Sequence, residues 1–373
     1  MTSLKTQVAK LARGLLTEPI PGAPDAEFTI LPERIDEAAA VLGFAADHGL
    51  RVLLWGGGTH QGIGYPVTPD VSLGTARLNR VVDWQVADLT IVVEAGVLVA
   101  DLEAQLEQRG QTAVLPETVP GATVGGVIAA GLSGWRRLRY GPTRDRVLEV
   151  VLATGDGRRV RGGGRLVKNV TGYDVPRLAV GSYGALGLVG QACLKLWPLA
   201  ADRGMVEVSD ADTALRSSYR PLAVIETESK GVVYLAGTSA EIEVQARGLG
   251  GRLVAGHRWP EPPAGRWELI LRVPAGDIGR FVARLRKLEW LFQAAHGVGE
   301  IRFAAEEAEP GDLSALRDEA EAAGGALVVT RAPSGSTFDP WGSPPRTFDL
   351  QRRVKAAFDP MGIANPGILP GGI

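Results

Sequence analysis

The sequence predicts a globular protein that mixes helices with short strands and divides into more than one domain. Three observations predict it. The chain has 373 residues, and at about 150 residues per domain that suggests two domains or three. Some segments repeat their apolar residues with helical spacing, while others are short continuous apolar runs bounded by turn residues. Glycine supplies 49 of the 373 residues, well above the average of about 7%. The excess falls inside apolar segments, where it means tight turns and close backbone approach.

The elements follow in chain order. Residues 1–24 read as an amphipathic lead-in helix; Lys5, Lys10 and Arg13 interrupt it, and no apolar core is long enough for a secretory signal. Residues 32–49 predict a helix with Pro32 in its first turn, Ile35, Ala38, Ala39, Leu42 and Ala46 on one face, and Gly49 as its stop. A strand over 51–55 leads into a glycine-rich turn, 56–64. Short strands are expected at 71–73, 81–82 and 90–93, and a helix at 99–110. Strands at 147–153 and 158–161 flank Thr154-Gly155-Asp156-Gly157, a hairpin signal. Residues 186–197 read as one long strand or two. From 204 to 330, strands at 222–226, 232–235, 267–272 and 326–330 alternate with helices at 211–218, 240–248, 277–288 and 313–323, a mixed α/β segment with strands separated by helices or long loops. A Pro/Gly/Ser-rich loop over 331–346 and a helix over 350–358 complete the chain.

Composition excludes several classes of function. Lys plus Arg is 40 and Asp plus Glu is 42, so the basic surplus of a nucleic-acid binder is missing. Cys193 is the only cysteine, which rules out an intrachain disulfide framework and an all-cysteine iron–sulfur cluster held by this chain alone. His48, His60, His257 and His296 are scattered, so no metal site is expected. The longest apolar-rich stretch, 178–201, is broken by Ser182, Gln191 and Lys195 and reads as strand–turn–strand rather than a transmembrane helix. A cytoplasmic protein, or one peripheral to the inner face of the membrane through partners, is the expectation.

Three segments carry chemistry. Leu53–Gly64 (LLWGGGTHQGIG) is a strand running into three glycines and a threonine; such a turn offers several N–H groups to one anion and lets a pyrophosphate come close. It is not a Rossmann fingerprint, because Gln61 stands where the third glycine belongs. A plain glycine-rich hairpin is the competing explanation. In the second segment, Pro116–Asp145, small residues dominate from Gly121 to Gly134, a pattern that suits either close approach to a large planar ligand or tight packing. The third, Lys168–Val189, has glycines at 172, 181, 184 and 187 around Ser182 and Tyr183.

Together these segments resemble the flavin-binding domain of the vanillyl-alcohol oxidase / p-cresol methylhydroxylase family. Gly56–His60 resembles its pyrophosphate loop, Thr123-Val124-Gly125-Gly126 its second flavin stretch, and Gly181–Gly187 its later glycine motif. Phe358-Asp359-Pro360 with Asn365-Pro366-Gly367 resembles the tail of its FAD-linked oxidases. Gly131-Leu132-Ser133-Gly134 and Lys168–Asp174 look most like the FAD-binding subunits of glycolate oxidase. The resemblance implies an α+β fold: a two-subdomain p-cresol methylhydroxylase (PCMH)-type FAD-binding domain over 25–200, a mixed α/β cap over 201–345, and a C-terminal tail, 346–373, that returns to the flavin domain.

The resemblance also implies a cofactor and its contacts. FAD would be held by Gly56, Gly57, Gly58, Thr59 and His60, by Thr123, Gly125 and Gly126, by Ser133 and Gly134, and by Gly184, Gly187, Val189 and Asn365. Some family members carry a flavin-linked histidine where Thr59 stands here, so non-covalent FAD is expected. Many relatives place a basic residue after Asn-Pro-Gly; this chain has Ile368. The His-rich motif with which relatives hold a 2-hydroxy acid is missing, and its nearest echo is Ala295–Arg302, with His296 as a base and Arg302 as a carboxylate clamp. The alternative is a turn and a strand with an exposed arginine. Arg136, Arg137 and Arg139 suit a carboxylate, an acidic partner, or a solvated face.

The activity so implied is oxidation of a 2-hydroxy acid, glycolate or D-lactate, to the 2-oxo acid by hydride transfer to flavin N5. The expected partners are a larger FAD-linked dehydrogenase subunit and an iron–sulfur subunit. A second reading makes the chain an electron-transfer or assembly subunit whose flavin never meets the acid, and the missing His-rich motif favours it. A third is an NAD(P)H-dependent flavin reductase on the same fold.

Overall fold

Continuous apolar runs at the start of the chain become strands buried on both faces. In the computed structural model, which describes residues 26–116, 120–165, 172–254 and 256–373, β1 (Phe28–Ile30), β2 (Val52–Trp55) and β3 (Val71–Gly74) form a parallel sheet in the order β1-β3-β2. The Ile35–His48 helix packs Ala38, Leu42 and Ala45 against Ile30, Val52 and Leu73. The lead-in helix expected over 1–24 and the Lys168–Thr171 part of the third segment lie outside the described residues.

Next come β4 (Val81–Gln85), β5 (Thr90–Glu94), β6 (Gln111–Thr112), β7 (Val147–Thr154), β8 (Arg159–Gly163), β9 (Gly187–Lys195) and β10 (Trp197–Pro198). Five of them make an antiparallel sheet in the order β4-β5-β9-β7-β8, and β6 pairs with β10. The β7–β8 hairpin turns at the expected Thr154–Gly157. The core against this sheet includes Leu102 and Leu106 of the Val99–Glu107 helix and Val127 and Ile128 of the Val124–Ala130 helix. That second helix falls in the small-residue stretch, where Gly125 and Gly126 depress helix propensity and hide it.

The rest of the chain differs more from expectation. β11 (Asp202–Val208), β12 (Ala223–Thr227), β13 (Gly231–Gly237), β14 (Arg252–Val254), β15 (Trp267–Arg272), β16 (Leu291–Ala295), β17 (Glu300–Ala305) and β18 (Ala326–Arg331) form one sheet in the order β14-β11-β13-β12-β16-β17-β15-β18. Every pairing in it is antiparallel. β11, β14, β16 and β17 are additions to the alternation read from the sequence. β16 and β17 are joined by a tight hairpin with Gly297 and Gly299 at positive φ, not by a helix or a long loop. The Ile278–Lys287 and Pro310–Ala322 helices cover one part of the sheet, with Phe281, Leu285, Leu313 and Leu316 in its core.

The Pro/Gly/Ser-rich 331–346 loop is tied down by Asp339. Its carboxylate accepts from the Tyr65 hydroxyl and from the amides of Trp341 (2.8 Å) and Gly342 (2.6 Å). Burial and this acidic partner push the Tyr65 phenol up to about 12.

After the Phe348–Phe358 helix the tail returns to the first sheet. The Val52 amide donates to Ile363 O (2.8 Å), and the Asn365 amide to Val52 O (2.9 Å). A buried ion pair fastens this return. Lys355 Nζ donates to Asp359 Oδ2 (2.9 Å), Ala185 O (3.0 Å) and Ala364 O (3.0 Å), while Asp359 also accepts from the amides of Ile363 (3.0 Å) and Ala364 (2.9 Å).

Candidate functional site

β2 runs directly into Gly56-Gly57-Gly58-Thr59-His60, and this loop lies against residues 121–126. A Cβ on Gly57 would overlap the Gly121 carbonyl, and one on Gly56 would overlap Thr123 Oγ1. Only glycine allows the approach, and it joins two distant segments into one wall. Gly57→Ala is expected to force the loop off residues 121–122 and abolish tight FAD binding, read by fluorescence titration. Thr123 caps the Val124–Ala130 helix, its Oγ1 accepting from the Gly126 amide at 3.2 Å. Thr123→Ala is expected to cost about 1 kcal/mol of stability, measured by denaturant unfolding.

This wall bounds a groove of about 90 Å³ lined by Gly56–His60, Gly125, Gly126, Gly184, Gly187, Val189 and Asn365. The groove gathers eleven of the fourteen expected cofactor residues; Thr123 (which stands behind Gly56), Ser133 and Gly134 lie outside its lining. Ser133 lines the neighbouring cavity instead, and Gly134 lines neither.

Two buried polar atoms beside the groove, Trp55 Nε1 and Thr75 Oγ1, have no hydrogen-bond partner among the described residues, and both residues line it. Leaving such atoms unpaired costs about 1–3 kcal/mol each, so a polar ligand suits the place. Glycine backbone, orphaned donors and a capped helix start fit a dinucleotide such as FAD. Asn365 spends its amide on the protein: Oδ1 accepts from the Leu54 amide (2.6 Å), and Nδ2 donates to Tyr183 O (2.6 Å). It lines the groove, but its side chain staples the tail to β2 rather than reaching outward.

His60 Nδ1 lies 2.8 Å from Thr59 Oγ1. Burial, and then the charge of Arg302, hold its pKa below the usual 6.5. Unfolding therefore takes up a proton as pH falls below about 6.5, and this residue lowers stability there. His60→Gln is expected to lose less stability than the parent between pH 7 and pH 5.5, measured by denaturant unfolding at both values.

A second cavity, of about 570 Å³, shares Ala130 and Tyr183 with the groove. Arg272, Glu300 and Arg302 enter it from β15 and β17. Glu300 and Arg302 are two apart on one strand and so share a face, while Arg272 pairs directly across from Glu300. Arg302 Nε donates to Glu300 Oε1 (3.2 Å), and Arg272 Nε lies 3.6 Å from Oε2. Burial pushes the Glu300 carboxyl up, but Arg302, Arg272 and Arg137 together hold it below its usual value. The Arg302 guanidinium carbon sits 4.2 Å from the centre of the Trp135 ring. Arg302 is thus a part-buried residue of the cavity wall, not an exposed strand arginine.

His296 is placed elsewhere. It lines neither cavity; the β16–β17 turn buries it with Nε2 at 2.6 Å from Glu226 Oε2, and Glu226 also binds Arg286 at 2.7 Å. The structure does not bring the expected base and clamp together. The basic cluster separates as well. Arg136 donates to Leu115 O (2.6 Å) and Arg139 to Ala236 O (3.1 Å), and of the three only Arg137 lines the cavity. Arg272 and Arg144 went unnoticed in the sequence; Arg272 ends β15 and Arg144 lies within the short 143–145 turn, and neither carries a local signal of what it faces.

Residues 26–163 match the family model described as FAD binding domain. Glycolate oxidase subunit GlcE of Escherichia coli (strain K12) is 29% identical over 343 residues, covering 85% of this chain and 91% of that protein. Glycolate oxidase subunit GlcD of Bacillus subtilis (strain 168) is 38% identical over 179 residues, 47% of this chain and 37% of that protein. D-lactate dehydrogenase of Archaeoglobus fulgidus is 30% identical over 189 residues, 50% of this chain and 42% of that protein. The chain spans about two fifths of the length of the latter two. A solved alkyldihydroxyacetonephosphate synthase superposes with a TM-score of 0.65 at 14% identity, covering 91% of this chain and 76% of that one, a likeness of fold.

Proposed function

We propose that this chain, built on a PCMH-type FAD-binding domain, oxidises a 2-hydroxy acid to the 2-oxo acid as a subunit of a glycolate oxidase-like complex. The observation that carries the reading is the Arg272–Glu300–Arg302 group in a cavity contiguous with the FAD groove. We read residues 25–200 as the flavin domain, 201–345 as the cap and 346–373 as the returning tail. Bound FAD would supply the two-electron acceptor, held by the groove residues Gly56–His60, Gly125, Gly126, Gly184, Gly187 and Val189.

The chain's own residues then have separate tasks. Arg302 and Arg272 hold the acid's carboxylate by charge-assisted hydrogen bonds. Glu300 keeps the two guanidiniums aligned. Tyr183 borders both cavities and closes one side of the passage between them. Its backbone is held at φ 51° with its carbonyl bound by Asn365. FAD is non-covalent in this reading, and acid precipitation is expected to leave it free in the supernatant; flavin retained in the pellet would refute that.

A relay reading remains in play on one observation: among the described residues lining the larger cavity there is no histidine to act as base. In it the flavin passes electrons between a larger FAD-linked subunit and an iron–sulfur subunit. An anaerobic visible spectrum of the purified FAD-loaded chain separates the two. Bleaching on addition of glycolate or D-lactate supports oxidation by this chain; an unchanged spectrum supports the relay.

A further inference from the structure

The larger cavity is built in two parts. Among the described residues of its lining, Arg137, Arg144, Arg272 and Arg302 face a single carboxylate, Glu300, so one part carries an excess of positive charge. The other part comes from the segment around Leu178–Leu186, the Phe348–Phe358 helix and the tail, with Leu178, Leu186, Leu350, Val354, Trp341 and Leu369 in its wall. Lys355 also lines it, but its ammonium is engaged by Asp359 and two carbonyls and offers that end no unpaired cation. Leu178 and Leu350 are 38% and 51% exposed, so the apolar wall extends to solvent.

A two- or three-carbon acid would meet the arginines and leave this wall wet. The volume of about 570 Å³ is in the range of sites that bury ligands much larger than glycolate. We infer that the acid taken here is amphipathic: a monocarboxylate whose head sits among the arginines and whose hydrocarbon tail, of about six carbons or more, lies along Leu178, Leu350 and Val354. The inference rests on reading this cavity as the carboxylate site.

The test is calorimetric titration of the FAD-loaded full chain with acetate, butyrate, hexanoate and octanoate, which needs no turnover. Affinity is expected to rise about three- to four-fold per methylene. Arg302→Met is expected to weaken every member of the series. Leu178→Asn with Leu350→Asn is expected to flatten the dependence on chain length while leaving acetate unchanged; both side chains are exposed, so the fold tolerates the change. Equal affinity along the series would overturn the inference and leave the carboxylate site standing. A gradient untouched by the leucine changes would also overturn it. Failure of every acid to bind would overturn the site reading itself.

Discussion

Arg302→Ala is expected to weaken binding of a short carboxylate to the FAD-loaded protein about 10- to 100-fold, the cost of losing a charge-assisted hydrogen bond of about 1.5–3 kcal/mol. The guanidinium is positioned from two sides, by Glu300 at 3.2 Å and by the Trp135 ring at 4.2 Å. Arg302→Lys should recover only part of the loss, because an ammonium cannot bind Glu300 and a ligand carboxylate with the same planar fork. Glu300→Gln separates charge from alignment. It removes the negative charge that competes for Arg272 and Arg302 while keeping an acceptor, so affinity should fall far less than in Arg302→Ala. Titration calorimetry of the three variants checks the order; an unchanged affinity in Arg302→Ala would return that residue to a packing role.

Asp359→Ala should produce the largest loss of stability, about 3–5 kcal/mol, because it strands a buried ammonium. The carboxylate is fully enclosed and serves Lys355 and two backbone amides at once. The tail it fastens carries Asn365, which binds both Leu54 and Tyr183. The same variant should therefore bind FAD less tightly although residue 359 lines neither cavity. Denaturant unfolding gives the first effect and flavin fluorescence the second. Lys355→Met with Asp359→Leu, which removes both charges together, should restore part of the stability.

Much of the fold was legible because its signals are local. The Ile35–His48 helix carries its apolar face and its Gly49 stop in sequence, and the β7–β8 hairpin carries its Asp-Gly turn. The eight-stranded sheet was only half legible. β14 has only three residues, β11 carries Asp202, Arg203 and Glu207, and Gln293, Glu300 and Arg302 interrupt the apolar residues of β16 and β17, so none of the four reads as a continuous apolar run. The Val124–Ala130 helix was concealed by its own glycines, of which Gly125 is required by close packing against Ala95.

The groove was easier to read than the cavity beside it. Close backbone approach demands glycine, and glycine is visible in a sequence. The Arg272–Glu300–Arg302 group depends on which strands lie side by side, and only the β15–β17 register brings Arg272 opposite Glu300. The same dependence misplaced His296, which sits only six residues before Arg302 in the chain but is buried against Glu226 by the turn between them.

The most direct test of the account is a crystal structure of the chain with FAD and a carboxylate inhibitor bound. The account predicts the pyrophosphate against the amides of Gly56–His60 and near Gly125 and Gly126, with the inhibitor's carboxylate on Arg302 and Arg272. FAD bound elsewhere, or a carboxylate held away from both arginines, would contradict it.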